Sequence, residues 1–442
     1  MGLECTLELE TLYGAFRESI MQGENISMSE LETSFREAAL RCGSNALSKL
    51  LSEIPDEAQI CPKCDKPMEN LDRRGKHIVT LLGDCEYSRC YYGCDCGEHS
   101  IPKDEILGVS GTSFTRSVRR VTAQIAASDS FRDTSANLSF LCGIKVSAKD
   151  SERIAEGVGS AIINAKRDEI MESLEGAMPP APDTPIKIMY IEYDGTGVPI
   201  RKPELVDRKG KQPDGSAKTR EMKTGCIFTQ SGWDDEGKPV RDADSTTYFS
   251  QIGELEDFSD LLYSEAVKRG VDYAYLVVVL GDGSKWIWNL AKENFPNAVQ
   301  IIDLFHAKEH ICDLLKKHFS DEAIIQVTTN VMYKLLENGD IEGLVDAFGK
   351  LPSVTKEQCE KVRLESAYFI NNKERMRYNV FIALGLFVGS GVIEAACKNV
   401  IGKRLKQSGM LWSVDGANSI SALRCSVLSG EFDLNYVDNI IA

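Results

Sequence analysis

The chain has 442 residues, 43% of them apolar, and a formal net charge of -16 from 51 Lys and Arg against 67 Asp and Glu. That is room for about two to four domains of ~150 residues, with enough apolar content for proper cores. The acidity excludes a protein that coats nucleic acid by bulk charge, so any DNA contact has to come from local basic patches.

Glu4, Glu8 and Glu10 stand where a secretory signal would need basic and then apolar residues. The longest apolar run, Val380 to Ile393, is interrupted by Gly385, Gly389, Ser390 and Gly391, and it falls short of the ~20 residues a bilayer span requires. A cytoplasmic protein with no membrane partner is expected. Fourteen cysteines without a secretory signal point to reduced thiols or metal ligands before disulfides.

Residues 1–55 form a helical N-terminal region, with Leu31, Phe35, Ala38, Ala39, Cys42, Leu47 and Leu50 at helical spacing. Residues 56–108 carry the cysteine cluster. CPKC at Cys61 and Cys64 is a CxxC knuckle, and CDCG at Cys94 and Cys96 reads as a second knuckle one residue short, with strand between them. Four thiolates on two such turns can close a tetrahedral site for structural Zn2+ and make this a zinc-ribbon-like DNA-binding segment. Cys85 and Cys90 compete for the fourth position, and a set of packed thiols is the plainer alternative. Residues 109–175 read as helical: Thr115–Ala127 with Arg116, Arg119 and Arg120, then Phe131–Leu141, a break at Gly143, and a helix opened by Ser147 and Asp150 through Gly159. This is the outline of a DNA-binding helix-turn-helix, which a plain helical hairpin shares. Four prolines between Glu175 and Pro185 place a linker over 176–185.

A core begins at Ile186. IKIMYIEYDGTG is expected to be a buried strand that stops at Asp194, with Gly195 and Gly197 making a turn. The basic segment Arg201–Lys223 follows, with Arg208, Lys209 and Lys211 suited to a phosphate backbone. Met222–Gln230 reads as a strand, Glu254–Arg269 as a helix, and Tyr275–Leu280 as an apolar strand running into Asp282. A helix over Ser284–Asn294 and a strand over Ala298–Ile302 lead to Asp303, with His306 one turn on. Three apolar strands that each end in Asp predict a shared metal site near the strand ends, where open α/β sheets bind ligands. The core's first part is 186–318. An all-helical insertion over 319–378 separates it from the last part, 379–442. There a helix from Val392 to Gln407 buries Ile393, Ala396, Cys397, Val400 and Ile401 and carries Glu394 at the edge of that stripe. Glu394 is placed to share a metal with Asp194 and Asp282, while Lys398, Lys403, Arg404 and Lys406 let the helix approach DNA. Trp286, Trp288 and Trp412 either stack on a flipped base or pack in the core.

The stretches DGTGVPIRKPEL, DRKGKQPDGSAKTREMKTG, VVLGDGSKWIWNLA, IIDLFHAKEH and GLFVGSGVIEAACKNVIGKRLKQSGMLW, in this order, resemble bacterial insertion-sequence transposases of the ISKra type. The resemblance is dense from Ile186 to about Phe432 and looser over the cysteine segment. It implies a multidomain α/β protein with an RNase H-like DDE catalytic core, the helical insertion lying before the catalytic glutamate. Asp194, Asp282 and Glu394 would be the triad, holding two Mg2+ or Mn2+ ions for phosphodiester hydrolysis and transesterification. Asp303 and His306 match an accessory D-x-x-H element similar to that of Mutator-like transposases. The implied partners are double-stranded DNA at transposon inverted repeats and target DNA, bound by a homo-oligomer at the bacterial nucleoid. The family spacing at the second knuckle is CxxC, from which Cys94-Asp-Cys96 departs. A DNA-binding protein with an unused catalytic site and a structure-selective nuclease on the same fold are the competing readings.

Overall fold

The computed structural model describes residues 2–57, 59–206, 208–210, 212–213 and 215–432. They fall into two units, 2–158 and 159–432.

In the first unit, α1 (Gly2–Met21) and α2 (Met28–Glu53) precede the cysteine segment. Ser27 caps α2 in a reciprocal capping box with Glu30, which satisfies two otherwise orphaned amides. Strands β1 (Glu69–Thr80) and β2 (Gly83–Gly93) form an antiparallel hairpin, and β3 (His99–Ser100) adds to β2. Behind the hairpin stands α3 (Pro102–Ile106), whose Asp104 accepts from the Tyr87 hydroxyl at 2.7 Å and pairs with Lys76 and Arg89. Helices α4 (Arg116–Ala126) and α5 (Phe131–Asn137) follow. A π-helical turn over Leu138–Cys142 then ends at Gly143, whose φ of 71° is the left-handed conformation that favours glycine. Ser147 accepts from the Asp150 amide at 3.0 Å and opens α6 (Ala148–Leu174). The helix expected to finish at Gly159 therefore runs 15 residues further, to Leu174.

The second unit is built on a five-stranded sheet. Its strands are β4 (Ile186–Pro199), β5 (Thr219–Gln230), β8 (Thr247–Gln251), β9 (Ala274–Gly281) and β10 (Val299–Ile302), with a small hairpin of β6 (Gly232–Trp233) and β7 (Pro239–Val240) after β5. The order is β10-β9-β4-β5-β8. Strands β9 and β10 run parallel to β4, whereas β5 is antiparallel to β4 and to β8. Central β4 is buried without a break from Ile188 to Tyr193, as a strand covered on both faces must be. Helices α7 (Leu255–Lys268), α8 (Lys285–Asn294) and α9 (Leu304–His318) bring Phe258, Leu262, Ile287, Ile311 and Leu315 to that core. After α9 come α10 (Glu322–Glu337), α11 (Ile341–Gly349) and α12 (Lys356–Asn371), and then α13 (Tyr378–Ala383). The last segment holds α14 (Gly391–Ala396), a π-helical stretch over Cys397–Gly402, α15 (Lys403–Leu405) and α16 (Val414–Leu428). The single helix expected over Val392–Gln407 is thus broken by a π segment, a feature frequent at functional sites. Gly159 is no helix stop: it begins the part of α6 that belongs to the second unit, where a Cβ would stand 2.0 Å from the Ser419 carbonyl oxygen, so glycine lets that part pack on α16.

One expectation about β4 is overturned. The strand does not end at Asp194, because β5 stays paired with it as far as Pro199–Thr219, while β9 leaves it after Glu192–Leu280. Gly195 and Gly197 are strand residues whose missing side chains make room for Glu221 and Thr219, which a Cβ would meet at 2.6 and 2.9 Å.

Candidate active site

Asp194 lies two residues beyond the point where β9 parts from β4, and Asp282 is the first residue after β9. Two carboxylates therefore leave neighbouring parallel strands at the same edge. Each is aimed by a neighbouring amide, Asp194 within β4 and Asp282 in the turn after β9. One Asp194 oxygen accepts from the Gly195 amide at 2.6 Å, and Asp282 accepts from the Ser284 amide at 2.7 Å and its hydroxyl at 3.1 Å. Burial, and then the charges of Asp282 and Glu221, push the Asp194 carboxyl above its ordinary range, with the Gly195 amide and His306 acting the other way. Glu394 is exposed on α14. Its carboxyl is also pushed up, by burial and by Asp303, Glu309 and Asp194, and His306 again opposes. Asp194 is thus felt by Glu394 and itself feels Asp282. Among the described residues they do not form a cluster with ligand atoms all within 4.8 Å of one another. Hard oxygen donors at a strand edge suit Mg2+ or Mn2+, so the donor chemistry fits the expected ions.

Asp303 and His306 part company in role. Asp303 is 1% exposed and caps α9 by accepting from the His306 amide at 2.6 Å. Its other oxygen accepts from the Ser390 amide, its own amide donates to Gly281 at 2.8 Å, and Leu304 donates to Val388 at 2.8 Å. It therefore joins the end of β9 to the turn before α14. The His306 ring is half-exposed, 3.8 Å from Glu309 and edge-on to His310.

A further acid escaped the sequence reading. Glu192 is fully buried, two residues before Asp194 and so on the same strand face. One oxygen accepts from the Ile393 amide at 2.9 Å, while the other has no hydrogen-bond partner. Burial, against the Ile393 amide, pushes its carboxyl up to about 8. The signal was present: a lone charged residue inside an apolar run is the informative exception.

Of the basic residues, Lys398, Lys403 and Lys406 are exposed, and the Lys406 ammonium reaches the Thr196 hydroxyl beside Asp194. Arg208 and Lys209 are exposed, Lys209 bridging to Ser216, and Lys211 lies outside the described residues. Arg404 corrects the expectation of a DNA contact. It is 0% exposed, with its guanidinium 5.2 Å from the Trp412 ring centroid, and so belongs to the core. Trp288 and Trp412 are buried, and Trp286 packs against Tyr193 and Phe258.

In the first unit, Cys61, Cys64, Cys94 and Cys96 place their sulfurs within 4.8 Å of one another. The Cys61–Cys96 and Cys64–Cys94 separations are 3.5 and 3.4 Å, near the about 3.8 Å that a tetrahedron with ~2.3 Å metal–sulfur bonds requires. The short second knuckle still closes its turn, because Gly97 takes a φ of 88° and its amide donates to the Cys94 carbonyl at 2.8 Å. Cys85 and Cys90 are engaged elsewhere, with the Ser44 carbonyl and the Asn70 amide. Burial raises the Cys61 thiol, but the Lys63 and Cys64 amides outweigh it and bring it down to about 7, whereas at Cys64, Cys94 and Cys96 the backbone amides are outweighed by burial and the neighbouring sulfurs, which raise those thiols.

The chain belongs to the family described as Uncharacterised protein family (UPF0236), whose model matches residues 21–433. A UPF0236 protein of Caldanaerobacter subterraneus subsp. tengcongensis, whose name joins 11 locus designations, is 23% identical over 429 residues, covering 93% of this chain and 80% of that protein. Another from the same organism, whose name joins four, is 22% identical over 96% of this chain and 81% of its own length. A UPF0236 protein in the vanSb 3′ region of Streptococcus gallolyticus is 23% identical over 92% of this chain and 85% of its own. Among solved structures, the Drosophila P element transposase strand transfer complex aligns with 76% of this chain and 84% of that chain, at 9% identity and a TM-score of 0.26. A likeness that loose carries no argument about fold or function.

Proposed function

We propose that this chain is the DDE transposase of an insertion sequence, which cleaves DNA at the element's ends and joins them to a target. The observation that carries the reading is Asp194 and Asp282 at the same end of neighbouring parallel strands, with Glu394, on α14, close enough for its carboxyl to feel the charge of Asp194. The sheet supports an RNase H-like core, since its strands, counted from β4, stand in the order third, second, first, fourth, fifth, with the first three antiparallel. The multi-locus names of the relatives also fit a gene that multiplies within a genome.

Asp194, Asp282 and Glu394 would hold the divalent cations, which when bound supply the positive charge that promotes in-line attack by water or a 3′ hydroxyl on a phosphodiester. The chain's own residues do the positioning. Gly195 and Ser284 fix the two aspartates, and Asp303 ties β9 to the turn before α14. Lys406 stands beside Asp194, and Lys398, Lys403, Arg208 and Lys209 offer cations to the DNA backbone. The four thiols of the first unit would hold one structural Zn2+ and make that segment a DNA-binding ribbon.

The test incubates the protein with Mg2+ or Mn2+ and DNA from both borders of its gene, beside Glu394→Gln. Nicking and joining that disappear in the variant are the expected result. Binding without cleavage by the unmodified protein would overturn the catalytic reading in favour of a DNA-binding one.

A further inference from the structure

Glu192 and Asp303 come from different strands and end on the same short piece of backbone. Glu192, on β4, accepts from the Ile393 amide at 2.9 Å. Asp303, after β10, accepts from the Ser390 amide. Both side chains are buried, at 0% and 1% exposure. Between these two amides lies the first turn of α14, and the residue after Ile393 is Glu394. Helices leave their first amides without internal partners, so this turn has donors to offer, and each carboxyl fills one. A six-residue helix followed by a π-helical stretch has little intrinsic stability of its own. The direction in which Glu394 points therefore depends on what holds that turn.

We infer that Glu192 is a positioning residue, which docks the first turn of α14 on the central strand and so fixes Glu394 relative to Asp194. Glu192 and Asp194 are two residues apart on one strand face, so the same rigid strand carries both the aspartate and the tether of the glutamate helix. A direct ligand role for Glu192 does not match its geometry: one oxygen is taken by Ile393 and the other is sealed from solvent without a partner. Burial without a second partner is costly, and a purely packing requirement would be met by leucine.

The inference rests on the transposase reading for its catalytic consequence, but not for its structural one. Two variants test it. Glu192→Leu fills the space and removes the acceptor; Glu192→Gln keeps one oxygen for Ile393. Hydrogen exchange of the metal-free full-length protein is read over the segment containing Gly391–Ala396. Faster exchange there in Glu192→Leu, with protection kept in Glu192→Gln and no fall in melting temperature in either, is expected. Unchanged exchange in Glu192→Leu overturns the inference whatever the protein's activity. In the cleavage assay, Glu192→Leu should lose at least about tenfold in kcat with KM for border DNA unchanged, the signature of misplaced rather than missing binding contacts. Glu192→Gln should restore most of that loss. A Glu192→Leu enzyme with the unmodified kcat, or a Gln variant as impaired as the Leu variant, would refute the positioning role. Should the unmodified protein fail to cleave, the transposase reading falls and the exchange result still decides the fate of Glu192.

Discussion

Gly283→Ala adds one methyl group next to Asp282, and its consequence follows from what that methyl meets. A Cβ at Gly283 would stand 2.3 Å from the Tyr368 hydroxyl oxygen, 2.4 Å from Cε2 and 2.7 Å from Cζ. Two of the three are ring atoms, and the ring is stacked on His310 with centroids 4.2 Å apart. Hydroxyl rotation cannot relieve the clash, so either α12 or the Asp282–Ser284 turn must shift. Overpacking of this kind costs about 1–3 kcal/mol, or about 2–12 °C of melting temperature in a unit of this size. Gly391→Ala is the control, because a Cβ there has nothing within 4 Å and should leave the melting temperature unchanged or raised. Thermal melts of both variants, and of Gly283→Ala combined with Tyr368→Ala, provide the assay. The second substitution removes the obstructing ring, so the glycine change should cost at least about 1 kcal/mol less in that background. Where the turn rather than α12 yields, Asp282 moves with it, and metal-dependent nicking should drop along with stability. A Gly283→Ala protein that melts and nicks like the unmodified one would refute the reasoning.

Three further outcomes are expected. Cys64→Ser should lose the single equivalent of zinc expected in the unmodified protein by elemental analysis, and a full equivalent retained would reassign the ligands. Arg404→Ala should lower stability by about 1–3 kcal/mol, as a core truncation does, and leave the salt dependence of DNA binding alone; Lys403→Ala should do the reverse, reducing the salt slope by about 1. Burial raises the Glu365 carboxyl, but its hydrogen bonds to His310 and Lys361 outweigh that and hold it below the ordinary range. A depressed carboxyl stabilises the fold above its unfolded value and loses that contribution as pH falls through its folded value, so below about pH 4 the melting temperature should fall more steeply in the unmodified protein than in Glu365→Gln. Parallel curves would sink that assignment.

The parts of the sheet legible in the sequence were the continuous apolar runs. Tyr275–Leu280 reads as strand because no polar residue interrupts it, although only Val278–Leu280 of that run is fully buried and Tyr275 is exposed. Strand β8, TYFSQ, alternates over only five residues and leaves little signal. Gly195 and Gly197 show a different limit: glycine in a strand marks either a turn or a close approach. The deciding side chains, Glu221 and Thr219, sit on β5 more than 20 residues away. Arg404 stands 11 residues after Ile393, about three full turns, so helical spacing alone puts it on the buried face, and its position decides over its charge.

The acids at this edge of the sheet divide by what their oxygens do. Glu192 and Asp303 are buried, and both are engaged with backbone amides of the segment that presents Glu394. Asp194 and Glu394 are pushed up by burial and by neighbouring carboxylates, with His306 and, for Asp194, one amide opposing. Lys406 stands beside Asp194, but its ammonium is directed to Thr196. If the acids were there only to hold the fold, replacing them with amides would keep the hydrogen bonds and remove the repulsion. Keeping like charges together while the inner pair fixes the helix is the arrangement expected of a site whose balancing charge arrives with its ligand. On that argument Glu192→Gln should be tolerated by the reaction, whereas Asp194→Asn, which keeps the same amide acceptor, should not.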